Sequence, residues 1–394
     1  MNDSISLKIA ALKPEIITMR RDFHKHPELG FKEFRTQKIV NKYLSDLGLE
    51  VSEIAGTGVV ALLKGENPGK TLLLRSDMDA IPVQEQHDYE YRSENDHVMH
   101  ACGHDGHLSM LLGAAKVLSG LRSQLNGSIK FVFQPNEEIA GAYLMIEEGV
   151  MKDPKVDASL GMHLWSQTES GKIDIDAGPV MAASHYFKLT IHGQGGHAGF
   201  AHQAVDPILV ATNIVQSIQA IQTREIDALD PAVIIFTEIH AGNNTTTVVP
   251  EKVEMKGSIR FLYKGGEELR ERFERIVKHT CEAHRVSYSL TFEVGNNLLS
   301  NDEELTELVR GVATRIFNGP DGVSRAIHTM AGEDFSDYTV DAPGVFMFLG
   351  IRNTEKGIVY PHHHPLFDID EDVLPLGIEM FVRTALRYLS SDES

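Results

Sequence analysis

The chain has 394 residues, is 42% hydrophobic and 24% charged, and carries a formal net charge of −19. That length is long for one core, so two domains are expected, with the composition of a soluble globular protein. The acidity argues against a nucleic-acid partner, which needs clustered Lys and Arg, and no apolar run of about 18 residues is present to span a membrane.

Two cysteines, Cys102 and Cys281, are too few and too distant for a disulfide framework, which points to a reducing, cytoplasmic compartment. The stretch Met1 to Ser6 shows neither the basic nor the apolar region of a secretory signal. Apolar residues at helical spacing (Ile5, Ile9, Leu12, Ile16, Ile17, Met19) predict a surface helix over 4–22. Pro27 and Gly30 break it, so His24 and His26 read as loop histidines. A second helix is expected from Arg35 to Leu47. The runs 59–63 and 71–75 predict buried strands, the second leading into Asp77-Met78-Asp79. Carboxylates at the end of a buried strand stand where open α/β sheets place ligands; a turn or helix cap is their plainer use.

The most informative stretch comes next, Met99-His100-Ala101-Cys102-Gly103-His104-Asp105-Gly106-His107. His100, Cys102, His104 and His107 offer four soft or borderline donors, and Cys102 and His104 flank one glycine, so their side chains can converge. That pattern reads as a transition-metal site for zinc, manganese, cobalt or nickel. A helical apolar pattern follows from Leu108. The strand 128–133 then ends in Gln134-Pro135-Asn136-Glu137-Glu138, a helix stops at Gly149, and a strand over 156–164 carries His163. Strand, polar cluster and helix alternate, which predicts an α/β domain with a mostly parallel sheet.

The pattern changes near residue 183. Strands over 186–192, 233–240, 253–261 and 287–292, with helices over 206–222 and 266–284, follow the order β-α-β-β-α-β. This predicts an inserted α+β, ferredoxin-like domain over 183–294. Its Gly-rich run 193–199 lacks the Lys-Ser/Thr of a phosphate loop. From about 303 the α/β pattern resumes: a helix to Phe317, the segment His328 to Phe335, a buried strand 345–350, the cluster Tyr360 to Asp368, and a helix from Leu374 to Leu389. The first domain is therefore discontinuous, 1–182 with 295–394, and the tail from Ser390 to Ser394 is expected to fray.

Asp77, Asp79, Cys102, His104, Glu137, Glu138, His163 and one of His362, His363 or His364 all fall at strand ends or in loosened loops. Parallel strands gather such ends at one sheet edge. The set suffices for two divalent ions sharing a bridging thiolate or water. Glu137 and Glu138 are adjacent, so one can bind metal while the other faces the cleft and moves protons.

At these residues the chain resembles the M20 metallopeptidase and amidohydrolase family, in the branch of hippurate hydrolases, N-acyl-L-amino acid deacetylases and auxin-conjugate hydrolases. The likeness runs through His26 to Phe31, Asp77 to Pro82, His100 to Asp105, Gln134 to Glu138, Gly161 to His163, Gly195 to Ala198 and Gly332 to Phe335. It implies two divalent metal ions per subunit (Mn, Zn, Co or Ni), with Cys102 as the bridge and His104, Glu138, His163 and His363 as further ligands. The motif His-x-Pro-x-aromatic-Asp favours His363 over His362. It further implies Glu137 as general base and acid, and Asp79 as the group orienting a ligand imidazole. His197 would serve the partner subunit's active site near the scissile oxygen, and Arg260 would hold a substrate carboxylate. The implied activity is hydrolysis of N-acyl-L-amino acids by a homodimer or homotetramer joined through the inserted domain; a dipeptidase, aminopeptidase or carboxypeptidase, or a silent binding protein, is the alternative. His100 and His107 then read as structural. The chain departs from the family pattern at Gly199-Phe200-Ala201-His202 and Thr246 to Pro250, where substrate would be gripped.

Overall fold

The structure is a computed structural model that describes residues 4–390 other than Asn318. Residues 391–394 of the tail expected to fray, and the first three residues of the chain, lie outside the described residues. The chain divides into two compact units: 1–180 with 300–327 and 333–394, and 181–299 with 328–332.

In the larger unit, helices α1 (Ser4–Lys25) and α2 (Phe34–Asp46) precede strands β1 (Glu50–Ile54), β2 (Gly58–Lys64) and β3 (Asn67–Asp77). Helix α3 (His104–Ser119), strand β4 (Asn126–Gln134), helix α4 (Ala142–Glu147) and strand β5 (Ala158–Glu169) follow. The sheet order is β1, β2, β4, β3, β5, then the strand Gly344–Arg352 and the short strands Ile173–Asp174 and Val323–Ser324. Its centre is parallel: β3 with β4, β3 with β5, and β5 with Gly344–Arg352. The β1 and β2 edge is antiparallel. The expected mostly parallel sheet is therefore present. Strand β1 went unread because Glu50, Ser52 and Glu53 are exposed and leave no apolar run.

The parallel register positions the site. Asp77 pairs with Gln134, and Leu74 pairs with Leu160. Continued three residues, that second register sets His163 level with Asp77. Helix α3 runs buried on nearly every side, as a helix packed within a core must. It meets α1 and the helix Leu374–Leu389 so closely that a Cβ on Gly113 would lie 2.6 Å from Ile378 Cδ1 and 2.9 Å from Ile16 Cδ1.

A charged cluster lies within this helical layer. Arg20 of α1 is fully buried, with Nε 2.8 Å from Asp105 Oδ2 and Nη2 3.0 Å from Asp368 Oδ1. His24 joins it, its Nδ1 2.8 Å from Asp105 Oδ2 and its Nε2 3.2 Å from Glu85 Oε1. The sequence reading placed His24 in a loop; α1 continues to Lys25 and carries it into the interior. Its apolar neighbours do not reveal this, because the partners that satisfy a buried imidazole come from distant segments.

In the smaller unit the strands Ala183–His192, Ala232–Ala241, Lys252–Phe261 and Ser287–Val294 form one antiparallel sheet. The first strand lies between the third and fourth, and the second lies at the edge beside the third. With the helices Pro207–Ala220 and Leu269–His284, this is the ferredoxin-like order. Phe187, Leu189 and Ile191 alternate inward against Val210, Ile214, Ile218, Phe273 and Val277. Residues 328–332, which the sequence reading left with the larger unit, belong here. The Ala182 N–H donates to Thr329 O at 3.2 Å and Ala331 O at 2.9 Å, and Arg260 Nη1 donates to Met330 O at 2.8 Å.

Candidate dinuclear metal site

The site assembles on the larger unit, from the ends of β3 and β4, the start of α3, the body of β5 and the loop before the last helix. Gly103, with φ +92°, precedes His104, the first residue of α3. Only glycine adopts that conformation without strain, and it lets the chain turn from Cys102 into the helix.

Two groups of donor atoms share one residue. Single atoms of Cys102, His104 and His163 lie within 4.8 Å of one another, and so do atoms of Cys102, Glu138 and His363. Cys102 Sγ is 3.5 Å from His163 Nε2. A thiolate common to two donor sets is what a bridging ligand requires. The predicted donors Cys102, His104, Glu138, His163 and His363 are thus all brought together.

The surroundings fix which ring nitrogen each histidine presents. His104 Nδ1 donates to Asp79 O at 2.9 Å and stands 3.3 Å from Asp79 Oδ1. Its Nε2 is buried without a hydrogen-bond partner among the described residues. An orphaned buried acceptor is costly, and a cation at that atom would satisfy it. His163 Nδ1 donates to Leu164 O at 2.7 Å, again leaving Nε2 toward Cys102. Burial, His107 and His362 together lower His163 well below its usual range and keep it neutral. Burial would lower His104 too, but Asp77 and Asp79 raise it to about 10. The field that favours a proton on this ring favours a metal cation in its place. Burial and the neighbouring Glu138 and Glu137 push the Cys102 thiol up, and a metal ion offsets that cost by holding the thiolate. The residues present fit a pair of divalent ions.

His362 and His363 part clearly. His362 is spent on the protein: Nε2 donates to Leu164 O at 2.9 Å and Nδ1 accepts from Ser166 Oγ at 3.1 Å. His363 Nε2 stands 3.3 Å from Glu138 Oε1, and its backbone, at φ +65°, is held by its N–H to Ala101 O at 2.8 Å. His364 Nδ1 accepts from Leu366 N at 3.0 Å. His107 is structural: Nδ1 donates to Asp77 Oδ1 at 2.8 Å and Nε2 accepts from Leu164 N at 2.8 Å. His100 is buried at 1% exposure, and burial lowers it to about 3.

The adjacent glutamates sit in different fields. Burial raises Glu137 well above the carboxylate range, reinforced by Glu333 and Asp334. Burial would raise Glu138 as well, but the bond from His363 and the charge of His104 lower it. Environments that pull two carboxyls apart separate a proton carrier from a permanent anion. Asp79 fixes the turn that carries them: Oδ1 accepts from Glu137 N at 3.0 Å and Oδ2 from Glu138 N at 3.2 Å. Asp79 therefore orients both the His104 ring and the glutamate pair.

His197 and Arg260 belong to the smaller unit. His197 is exposed, and its Nδ1 accepts from Gly199 N at 3.1 Å. A ring whose Nδ1 accepts carries its hydrogen on Nε2. Arg260 spends one N–H on Met330 O and has others left.

Arg75 and Asp334 had no assigned part in the sequence reading, although both lie within 2% of full burial around the site. The available signal was a lone arginine closing the apolar run Leu72-Leu73-Leu74, since a buried guanidinium must find carboxylates.

The sequence profile of peptidase family M20/M25/M40 matches residues 73–387. Thermostable carboxypeptidase 2 of Saccharolobus solfataricus is 40% identical over 380 residues, 95% of each chain. The N-acyl-L-amino acid amidohydrolase of Geobacillus stearothermophilus is 42% identical over 309 residues, 77% of this chain and 82% of that one. Among solved structures, the Bacillus subtilis YXEP protein, described as a dinuclear metal binding peptidase, superposes with a TM-score of 0.85 at 31% identity, covering 97% of this chain and 99% of the other.

Proposed function

The chain belongs to peptidase family M20/M25/M40, and from that premise we propose that it is a di-metal hydrolase cleaving the amide bond of N-acyl-L-amino acids. The observation that carries the reading is the pair of donor sets sharing Cys102, with a neighbouring carboxyl, Glu137, held outside the set that includes His363. Two divalent ions, when bound through Cys102, His104, Glu138, His163 and His363, acidify water and polarise a carbonyl oxygen. Glu137 takes the proton from the attacking water and returns it to the leaving nitrogen. Asp79 keeps the Glu137–Glu138 turn and the His104 ring in place throughout. His197 serves the active site of the partner subunit, where it donates to the developing oxyanion. Arg260 offers its remaining N–H groups to the substrate carboxylate.

Carboxypeptidase activity is the second reading, favoured by the full-length likeness to a thermostable carboxypeptidase. Both kinds of substrate carry a free carboxylate and an amide. A screen of N-acetyl and N-benzoyl amino acids against N-blocked peptides, each with Mn, Co, Zn and Ni, separates them. Release of acetate or benzoate supports the first reading, and release of a C-terminal amino acid from peptides alone supports the second. No turnover with any metal would leave a binding protein.

The proposal includes a homodimer or homotetramer joined through the smaller unit, acting in the cytoplasm; among the described residues no helix is long and apolar enough to cross a membrane. Its edge strand Ala232–Ala241 exposes Val233 at 37%, Ile235 at 49% and Ile239 at 53%. An uncovered apolar edge strand invites pairing with another. Ile235→Asp is expected to shift the protein toward monomer in sedimentation equilibrium; an unchanged mass would place the interface elsewhere.

A further inference from the structure

A buried polar network outside the donor set connects its arms. Arg75, at the end of β3, spreads its guanidinium over four partners. Nε donates to Gln134 Oε1 at 2.9 Å, Nη1 to Asp77 Oδ2 at 2.7 Å, and Nη2 to Asp334 Oδ1 at 2.8 Å and Glu333 Oε1 at 3.0 Å. Asp334 in turn grips both ends of the turn that carries Glu137 and Glu138. At the near end it accepts from Gln134 Nε2 at 2.8 and 2.7 Å, and at the far end from Gly141 N and Ala142 N, each at 2.9 Å. On its other side, Asp77 accepts from His107, which accepts the N–H of Leu164, next to His163. One chain of bonds thus runs from the glutamate turn, through Asp334, Arg75, Asp77 and His107, to the β5 backbone at His163.

We propose that Arg75 and Asp334 are positioning residues of the metal centre, clamping the Glu137–Glu138 turn and the His163 strand at a fixed separation. The proposal rests on the hydrolytic reading above, but it concerns geometry that exists without turnover. The guanidinium is rigid and planar, so its four bonds tie the partners in angle as well as distance. Asp334 closes the turn at both ends, so loosening it frees Glu137 and Glu138 together. Asp79 then remains as the turn's hold at its centre, and a displacement of about 1 Å at a reacting group can cost about 10²-fold in rate.

The test uses the whole protein loaded with Co(II), with the variants Gln134→Met and Asp334→Asn. Gln134→Met removes the bonds that Gln134 makes to Arg75 and Asp334, opening the near end of the turn while burying no unpaired charge. Val312→Ala, in the core of the same unit and away from the network, controls for general destabilisation. Both clamp variants are expected to shift the visible cobalt bands, and to lower kcat by about 10- to 100-fold per loaded molecule with KM nearly unchanged. The control keeps the parental spectrum and kcat. Should Asp334→Asn fail to fold, Gln134→Met decides alone. A parental cobalt spectrum in the folded clamp variants overturns the proposal, and so does a parental kcat in an active enzyme. If the parent hydrolyses none of the acylated substrates or peptides, the hydrolytic reading fails and the cobalt spectrum still decides the clamp.

Discussion

Exchanging Glu137 for glutamine is expected to leave metal content intact and to lower kcat by about 10⁴-fold. General acid–base catalysis by one group contributes about 10²–10⁴-fold, and here the same carboxyl takes the proton from water and delivers it to nitrogen, so both steps fail. Glutamine keeps the shape, so Asp79 can still hold the turn through the backbone N–H groups of residues 137 and 138. The metal donors do not include Glu137 in the proposed assignment, so occupancy should hold. Elemental analysis beside steady-state kinetics checks both halves. A variant that keeps its metal and more than a tenth of parental kcat would remove Glu137 from the mechanism.

The second large effect separates Cys102 from His363. Because Cys102 belongs to both donor sets, Cys102→Ala is expected to release both ions and all activity. His363 belongs to one set. His363→Ala should therefore weaken one ion by at least about 100-fold, beyond the 10- to 100-fold that loss of a supporting residue outside the ligand set costs. His362→Ala should keep two ions, because that ring is spent on Leu164 O and Ser166 Oγ. Isothermal titration of the metal-free proteins with manganese or zinc reads all three. Full affinity in His363→Ala with loss in His362→Ala would reverse the assignment.

Much of this site was legible because its donors lie in short, chemically unusual stretches. Cys102-Gly103-His104 and Glu137-Glu138 stand out in any composition, and the apolar runs before them announce strands whose ends share an edge. The antiparallel order of the smaller unit was legible for a similar reason, since Phe187, Leu189 and Ile191 alternate as a half-buried strand does. What stayed hidden depends on distant partners. Three consecutive histidines look alike in sequence; Leu164 O and Ser166, nearly two hundred residues away along the chain, engage one of them, and Glu138 meets the next. His24 reads as polar until Asp105 and Glu85 arrive from other segments. Residues 328–332 carry no signal of their unit, because backbone hydrogen bonds to Ala182 decide it. Strand β1 is an exposed edge that no apolar pattern marks.

The division of labour proposed for the two glutamates also rests on fold rather than sequence. Glu137 faces Glu333 and Asp334, while Glu138 faces His363 and His104. Like charges and burial favour the protonated form of the first, and cationic neighbours favour the ionised form of the second. Adjacent positions on a turn are enough to create this difference, because successive side chains leave the backbone in different directions.

The central claim is a dinuclear hydrolytic centre organised around Cys102, and metal titration of the metal-free protein tests it most directly. Manganese or cobalt is added stepwise while hydrolysis of an N-acyl amino acid or an N-blocked peptide is followed. The account predicts two equivalents bound per chain, full turnover only as the second is filled, and neither binding nor turnover in Cys102→Ala. Saturation at one equivalent, or two tight equivalents retained by Cys102→Ala, would contradict it.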